Sequence, residues 1–145
     1  MSVLTRSIIL TAAVLFGVPL RAAAQDQTLK PIAGGIGVAD KPLNCEMTLQ
    51  LMEDLRDLIR AQGGENNVMI LIARLGSREK SRSLNRRRLL NVREGLQGTL
   101  GIVKPMVIAE GERVNGFGRV EVYIGGTFAG ALLARRNSHV IKCEF

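Results

Sequence analysis

Two segments of the chain carry apolar residues at the spacing of an amphipathic helix. The first runs over residues 48–62 with Thr48 as its expected N-cap, and its apolar stripe is Leu51, Met52, Leu55, Leu58 and Ile59. The second is expected to begin at Ser83, again as an N-cap, and its stripe is Leu89, Val92, Leu96 and Leu100. The pattern therefore predicts two helices that bury one face each.

Other segments show the apolar runs or the strict alternation typical of β-strands. In chain order they are residues 43–47, 68–73, 106–109, 119–124, 127–134 and 139–145. The last two are expected to form a closing hairpin across the turn at residues 136–138. This order predicts an α+β fold, in which two helices pack on a mixed β-sheet (β-α-β-α-β-β) with an added C-terminal β-hairpin.

The first 24 residues have the pattern of a cleaved signal peptide. Arg6 precedes an uncharged apolar run over residues 7–20, and Ala22 and Ala24 are the small residues expected before a cleavage site at Gln25. The run is short for a membrane span, which needs about 20 residues. Residues 25–42 contain two prolines and three glycines and predict a flexible leader. We therefore expect a domain over residues 43–145, secreted across the inner membrane into the periplasm, with no transmembrane helix after cleavage.

The charge of the chain favours anionic partners. The full sequence carries +7, and loss of Arg6 and Arg21 with the signal peptide leaves 18 basic and 13 acidic residues. An exported basic protein meets anionic envelope polymers or membrane surfaces more readily than nucleic acid. With no tryptophan and one tyrosine, the chain also lacks the aromatic platforms for base stacking.

Cys45 and Cys143 are the only cysteines, and both follow the predicted cleavage site. In an oxidising compartment an even cysteine count predicts a disulfide bond, which here joins the start of the domain to its end. Two distant cysteines without a histidine cluster make a poor metal site.

The basic residues concentrate in one stretch, residues 74–98, which holds eight of the twenty. It follows the apolar run at residues 68–73 and leads into the second predicted helix. A strand that feeds a basic loop and a helix is a common place to hold an anion.

Residues 70–124 resemble the OmpA-like domain, the periplasmic module that anchors bacterial envelope proteins to peptidoglycan. The matching features are the strand ending at Ala73, Leu84-Asn85, Leu89-Leu90 followed by Arg93, Gly101-Ile102, the strand over residues 107–112 and Arg119-Val120-Glu121-Val122. The last group is similar to the asparagine-arginine-arginine-valine-glutamate strand of the family, with Gly118 in place of the asparagine. The chain is identified as a divergent member of this family.

The resemblance implies a charge-assisted clamp on the peptide stem of peptidoglycan. In the family an aspartate after the second strand holds the ammonium group of diaminopimelate, and a helix arginine holds its carboxylate. Arg93 lies near the arginine position, whereas the usual glycine-histidine-threonine-aspartate run is replaced by residues 75–79, in which Glu79 is the only acid. The implied ligand-binding residues are Gly76, Ser77, Glu79, Asn85, Arg86 and Arg93.

Catalysis and cofactor binding are not expected from the sequence. Nucleophilic catalysis needs a nucleophile, a base and an orienting group, and His139 is the only histidine. Three functions stay open: a peptidoglycan-binding domain, a structural or assembly component of an envelope complex, and an electrostatic binder of anionic glycans or lipid head groups.

Overall fold

The computed structural model describes residues 35–62, 68–139 and 141. Its elements are β1 (Gly37–Val38), α1 (Cys45–Ala61), β2 (Met69–Arg74), α2 (Ser83–Glu94), a π-helical turn (Gly95–Thr99), β3 (Met106–Glu110), β4 (Arg119–Ile124) and β5 (Thr127–Leu133). They confirm the predicted α+β class, with two helices on a mixed sheet. The predicted signal peptide lies outside the described residues. Among the helices of the described ranges, none has the length and apolar character needed to cross a bilayer.

The sheet has five strands in the order β1-β5-β4-β2-β3. The pairs β1–β5 and β2–β3 are parallel, whereas β4 runs antiparallel to both β2 and β5. The inward positions predicted for β4 are confirmed, because Val120, Val122 and Ile124 lie in the core, whereas Glu121, which the alternation places on the outward side, is also buried. β3 is an edge strand, and it leaves the apolar side chains of Val107 and Ile108 exposed.

Both helices pack on the same face of the sheet. The core contains Met52, Leu55, Leu58 and Ile59 from α1, and Leu89, Val92, Leu96 and Leu100 from α2 and the turn after it. The predicted helix stripes are therefore buried, although Leu51 is only partly so. The result is a two-layer fold, in which neither helix of the described ranges covers the second face of the sheet.

The two predicted N-caps are wrong. The cap of α1 is Asn44, whose side chain accepts a hydrogen bond from the Met47 N–H at 2.8 Å, while the Thr48 hydroxyl donates to the Asn44 carbonyl at 2.8 Å. An asparagine four residues earlier thus starts the helix in place of the predicted strand at residues 43–47. Helix α2 begins at Ser83 itself, after Arg82, and its first turn has no side-chain cap.

The described part of the predicted leader contributes the short strand β1. The Ile36 N–H donates to the Ala129 carbonyl at 2.9 Å, and Gly37 pairs with Gly130. Gly130 makes this possible, because a Cβ at that position would lie 2.0 Å from a side-chain carbon of Ile36. Close packing of the Ile36 side chain on Gly130 therefore explains a strand that its Gly-rich sequence did not predict.

Most of the second strand of the predicted C-terminal hairpin lies outside the described residues, which include only positions 139 and 141 of it. β5 forms its hairpin with β4, across Gly125 and Gly126. Residues 139 and 141 belong to no strand, and the Ile141 N–H donates to the Asn91 side chain at 2.9 Å. Cys45 is the first residue of α1 and is not a free cysteine. Cys143 lies outside the described residues, so the Cys45–Cys143 disulfide stays a prediction.

Candidate functional site

The basic stretch separates into a buried and an exposed part when it folds. Arg88 is 0% exposed, although it stands within a run of three arginines. One helical turn separates it from Leu84 and from Val92, both buried, so it lies on the same stripe. The exposed cations on the loop and on α2 are Arg78, Lys80, Arg82, Arg86 and Arg87. We call these five residues the basic surface.

Arg88 forms a bidentate ion pair with Glu79, which is only 3% exposed. Its two terminal nitrogens lie 2.7 Å from Oε2 and 2.5 Å from Oε1 of the carboxylate. Two backbone N–H groups also donate to the carboxylate, that of Gly76 at 2.9 Å and that of Asn137 at 3.0 Å. The remaining Nε–H of Arg88 donates to the Ser138 carbonyl at 2.8 Å. The pair therefore joins the loop after β2, helix α2 and the turn after β5.

Two features of the chain make room for this pair and close the loop around it. A Cβ on Gly118 would lie 2.1 Å from Nη1 of Arg88 and 2.3 Å from Oε2 of Glu79. The glycine at this position is thus a requirement of the ion pair. Arg113 donates to the carbonyl oxygens of Gly76 and Glu79, which fixes the loop from its other side.

The ion pair keeps Glu79 ionised at all ordinary pH values. Burial alone would raise the pKa of this carboxyl. The hydrogen bonds from Arg88, Gly76 and Asn137 outweigh that effect and lower the pKa to about 2. The carboxylate of Glu79 therefore stays charged, and the guanidinium of Arg88 neutralises it.

The predicted clamp of Glu79 and Arg93 is not what the structure contains. Glu79 has hydrogen bonds on both carboxylate oxygens, so it has no free position for a ligand ammonium group. The guanidinium that meets it belongs to Arg88, whereas Arg93 is half-buried and takes no part in this ion pair. The signal that sequence reasoning missed was the spacing of Arg88 from Leu84 and Val92.

The other predicted ligand-binding residues are divided between the interior and the surface. Gly76 is buried, and its N–H donates to the Glu79 carboxylate. Ser77 is exposed, and its N–H donates to the Gly116 carbonyl at 3.2 Å. Arg86 is exposed on α2, and Asn85 is buried beside a cavity. The structure therefore brings Gly76 and Glu79 together but does not gather all six residues into one pocket.

A cavity of about 350 Å³ lies between the end of β2, the first turn of α2 and the segment that follows β3. Leu75 and Asn85 line it, together with the charged residues Arg82, Glu110, Glu112 and Arg113. The Asn85 side chain is 3% exposed, and its Oδ1 has no hydrogen-bond partner among the described residues. This cavity is separate from the carboxylate of Glu79, whose four hydrogen bonds are all internal.

A second carboxylate is buried on the sheet face opposite α1 and α2. Glu121 is 0% exposed and accepts from Arg74 at 2.8 Å, from Arg119 at 2.8 Å and from the Tyr123 hydroxyl at 3.0 Å. Burial and the neighbouring Glu121 carboxylate raise the pKa of Tyr123. Burial opposes the charge of Arg74, but the hydrogen bond to Glu121 outweighs it and raises the pKa of that guanidinium. This cluster holds two strands together at the surface of the sheet.

Within the described ranges, no group of three or more histidine, cysteine or acidic side chains is placed to hold a metal ion. Comparison with known proteins gives no further guide, because no family model, curated protein or solved structure matches the chain. The resemblance to the OmpA-like domain therefore stays a prediction from the sequence.

Proposed function

We propose that this protein is an exported, non-catalytic domain that binds an anionic polymer of the bacterial envelope through its basic surface. One observation carries the proposal. Glu79 is the only acid between residues 76 and 93, and it is buried against Arg88. No acidic side chain of that segment therefore neutralises the five exposed cations. Glu110 and Glu112 lie around the same cavity as Arg82, so the field available to an external anion comes mainly from Arg78, Lys80, Arg86 and Arg87.

Peptidoglycan is the polymer that the sequence resemblance favours, since its peptide stems carry carboxylates. An arginine binds a carboxylate with two parallel hydrogen bonds, which lysine cannot do, and four of the five residues of the basic surface are arginines. Because Glu79 is engaged, the proposed contact uses exposed guanidiniums and not the aspartate–arginine clamp of the family.

Co-sedimentation of the purified protein with peptidoglycan sacculi tests the proposal. We expect binding at low salt that weakens at high salt, because exposed charges are screened beyond about 8 Å at physiological ionic strength. The double variant Arg86→Gln/Arg87→Gln should bind more weakly, whereas Arg56→Gln on α1 should bind like the parent protein. No sedimentation at low salt, or an equal loss in the Arg56 control, would refute binding through this surface.

Vesicles of anionic and of zwitterionic lipids distinguish a general electrostatic binder from a peptidoglycan binder. Equal affinity for anionic vesicles and for sacculi would favour the lipid or glycan alternative. Preference for sacculi at matched salt would favour peptidoglycan.

An assembly role is the second candidate, and the edge strand β3 favours it. Val103, Val107 and Ile108 are exposed apolar residues on or near this edge, with Val103 94% exposed. An open apolar edge is a template for pairing with another chain. Photo-crosslinking in intact cells from position 107, compared with position 99 in the π-helical turn, tests this role. Crosslinks to one protein from position 107 alone would support it, and none from either position would count against it.

A further inference from the structure

We infer that two copies of this chain associate through β3, which pairs antiparallel with its own counterpart about a twofold axis at Ile108. The inference rests on the assembly role, the second candidate function, because it names the partner of the same strand edge. It does not depend on binding to an envelope polymer.

The first observation is the direction of the backbone groups of β3. In the parallel pair with β2, the Met69 N–H donates to the Pro105 carbonyl at 3.2 Å, and the Gly111 N–H donates to the Ala73 carbonyl at 2.9 Å. Backbone groups alternate in direction along such a ladder, so the odd-numbered residues of β3 face β2. The residues that direct their N–H and C=O groups away from β2 are Met106, Ile108 and Glu110.

The second observation is that this outer edge is open to another strand. β3 is the last strand in the order of the described sheet, and its residues 107–110 are exposed. Ile108 pairs with Leu71, on the face that carries the helices, and is still 38% exposed, so α2 does not cover the edge. The segment Met106–Ala109 also has no proline, charged residue or bulge, with which edge strands usually avoid pairing.

The third observation is that the backbone of β3 can pair with a second copy along its whole length. An antiparallel register centred on Ile108 places Met106 opposite Glu110 of the partner copy, and the twofold axis repeats that pair. Each of these pairs, with the central one, exchanges two backbone hydrogen bonds. A register shifted by two residues in either direction would leave one outward-facing residue of each β3 without a partner in the other β3. The register centred on Ile108 is therefore the one that uses the entire strand.

The side chains suit the same register. Val107 lies opposite Ala109 of the partner copy, on the sheet face away from the helices, so two apolar side chains meet there. When the register is continued by two residues at each end, Lys104 lies opposite Glu112 of the partner copy, and the axis repeats this contact. Opposite charges thus meet at both ends of the paired strands. A twofold interface requires such self-complementarity, whereas pairing with an unrelated chain does not.

The assembly closes at two copies. The other edge of the described sheet is β1, which has only two residues, Gly37–Val38. A strand of this length offers too few backbone groups for a further copy to add head to tail. Pairing of β3 with itself uses the same surface on both copies, and it therefore leaves no second long edge for growth.

Sedimentation velocity of the purified protein over a range of concentrations tests the inference. We expect a reversible change from monomer to dimer, with a Kd of about 100 μM or lower, since one pair of strands makes a small interface. The protein should remain monomeric on denaturing gels without reductant, because the dimer is not covalent.

Three variants locate the interface. Ile108→Lys and Ile108→Glu each place two like charges opposite one another at the axis, so each should raise the Kd at least tenfold. An equimolar mixture of these two variants should form a heterodimer, because opposite charges then meet across the axis. Leu90→Lys on α2 is the matched control, since Leu90 is also 38% exposed, and it should dimerise like the parent protein.

Hydrogen exchange of the parent protein, followed by nuclear magnetic resonance, tests the register without any substitution. The outward-facing amides of Ile108 and Glu110 should exchange several-fold more slowly when the concentration is raised above the Kd. The amides of Val107 and Ala109 are already bonded to β2 and should change much less.

Four results would each overturn the inference. They are a monomer at all concentrations, an unchanged dimer in both charged variants, no heterodimer in their mixture, and exchange at Ile108 that does not depend on concentration. If the purified protein is monomeric but position 107 crosslinks to a different protein, self-pairing is wrong and the assembly role stands. Arg86→Gln/Arg87→Gln should dimerise like the parent protein, so a loss of polymer binding is distinguishable from a loss of the dimer.

Discussion

Replacing Glu79 with glutamine should destabilise the protein by roughly 3–5 kcal/mol, because it leaves the Arg88 guanidinium charged and buried without a counter-charge. Arginine does not lose its proton in proteins, so the guanidinium cannot escape the penalty by neutralising itself. The substitution keeps the shape of the side chain, and the loss therefore reports on charge and hydrogen bonding rather than on packing.

The magnitude follows from the four donors that converge on the carboxylate. Arg88 supplies two charge-assisted hydrogen bonds, and Gly76 and Asn137 supply two from the backbone. A glutamine offers one carbonyl oxygen, and its amide NH₂ group then faces donors that previously met an oxygen. At least one of the two backbone N–H groups loses its partner, which costs about 1–3 kcal/mol if it is the buried N–H of Gly76, in addition to the weakened ion pair.

Urea denaturation at neutral pH measures the effect, followed by circular dichroism. Asp57→Asn is a matched control, since it also removes an acid from an ion pair, in which Arg56 Nε lies 2.9 Å from Asp57 Oδ1. That pair, however, lies on the solvent side of α1. We expect no measurable change in the control, as is usual for exposed pairs. If Glu79→Gln lost no more stability than Asp57→Asn, the buried ion pair would not be what holds the loop to α2.

Two further predictions concern the Glu79–Arg88 pair, and a third concerns Glu121. Protonation of Glu79 should destabilise the protein by roughly 3 kcal/mol as pH falls from 4.5, the ordinary pKa of this carboxyl, to about 2, its pKa in the fold, and Glu79→Gln should remove this part of the acid dependence in pH-jump unfolding measurements. Gly118→Ala should cost about 3 kcal/mol of unfolding free energy in urea denaturation because its Cβ would meet the ion pair, whereas Gly98→Ala, with nothing within 4 Å, should cost nothing. Glu121→Gln should lower the melting temperature by several degrees, as it leaves two guanidiniums without their shared carboxylate; an unchanged value would show that this sheet face tolerates the unpaired charges.

Much of the fold could be predicted because long periodic segments report burial directly. The stripe on α1 and the inward positions of β4 both mark a face that packs into the core, which the structure confirms apart from Leu51, which is only partly buried. Short elements were harder to predict, since β1 depends on Gly130 accepting a close neighbour from a distant part of the chain. The start of α1 was misplaced because Asn44 and Thr48 are both good N-caps and only the backbone decides between them.

The site was less predictable than the fold for an electrostatic reason. The polarity of the three arginines at residues 86–88 suggests that all of them face water, and it does not indicate which one is buried. Only the acid that accompanies Arg88 makes its burial possible, and Glu79 is nine residues away in the sequence. The lack of a hydrogen-bond partner for Asn85 Oδ1 could not have been predicted either, because it depends on which donors surround the amide in the fold.

The Glu79–Arg88 pair also has a consequence for how the protein opens. Asn137 lies 58 residues from Glu79 in the sequence, yet both its N–H and that of Gly76 end on the same carboxylate. Neither amide can exchange its hydrogen with solvent unless that carboxylate is released. The loop after β2 and the turn after β5, which as surface turns would ordinarily exchange fast and independently, should therefore behave in hydrogen exchange as one cooperative unit with α2.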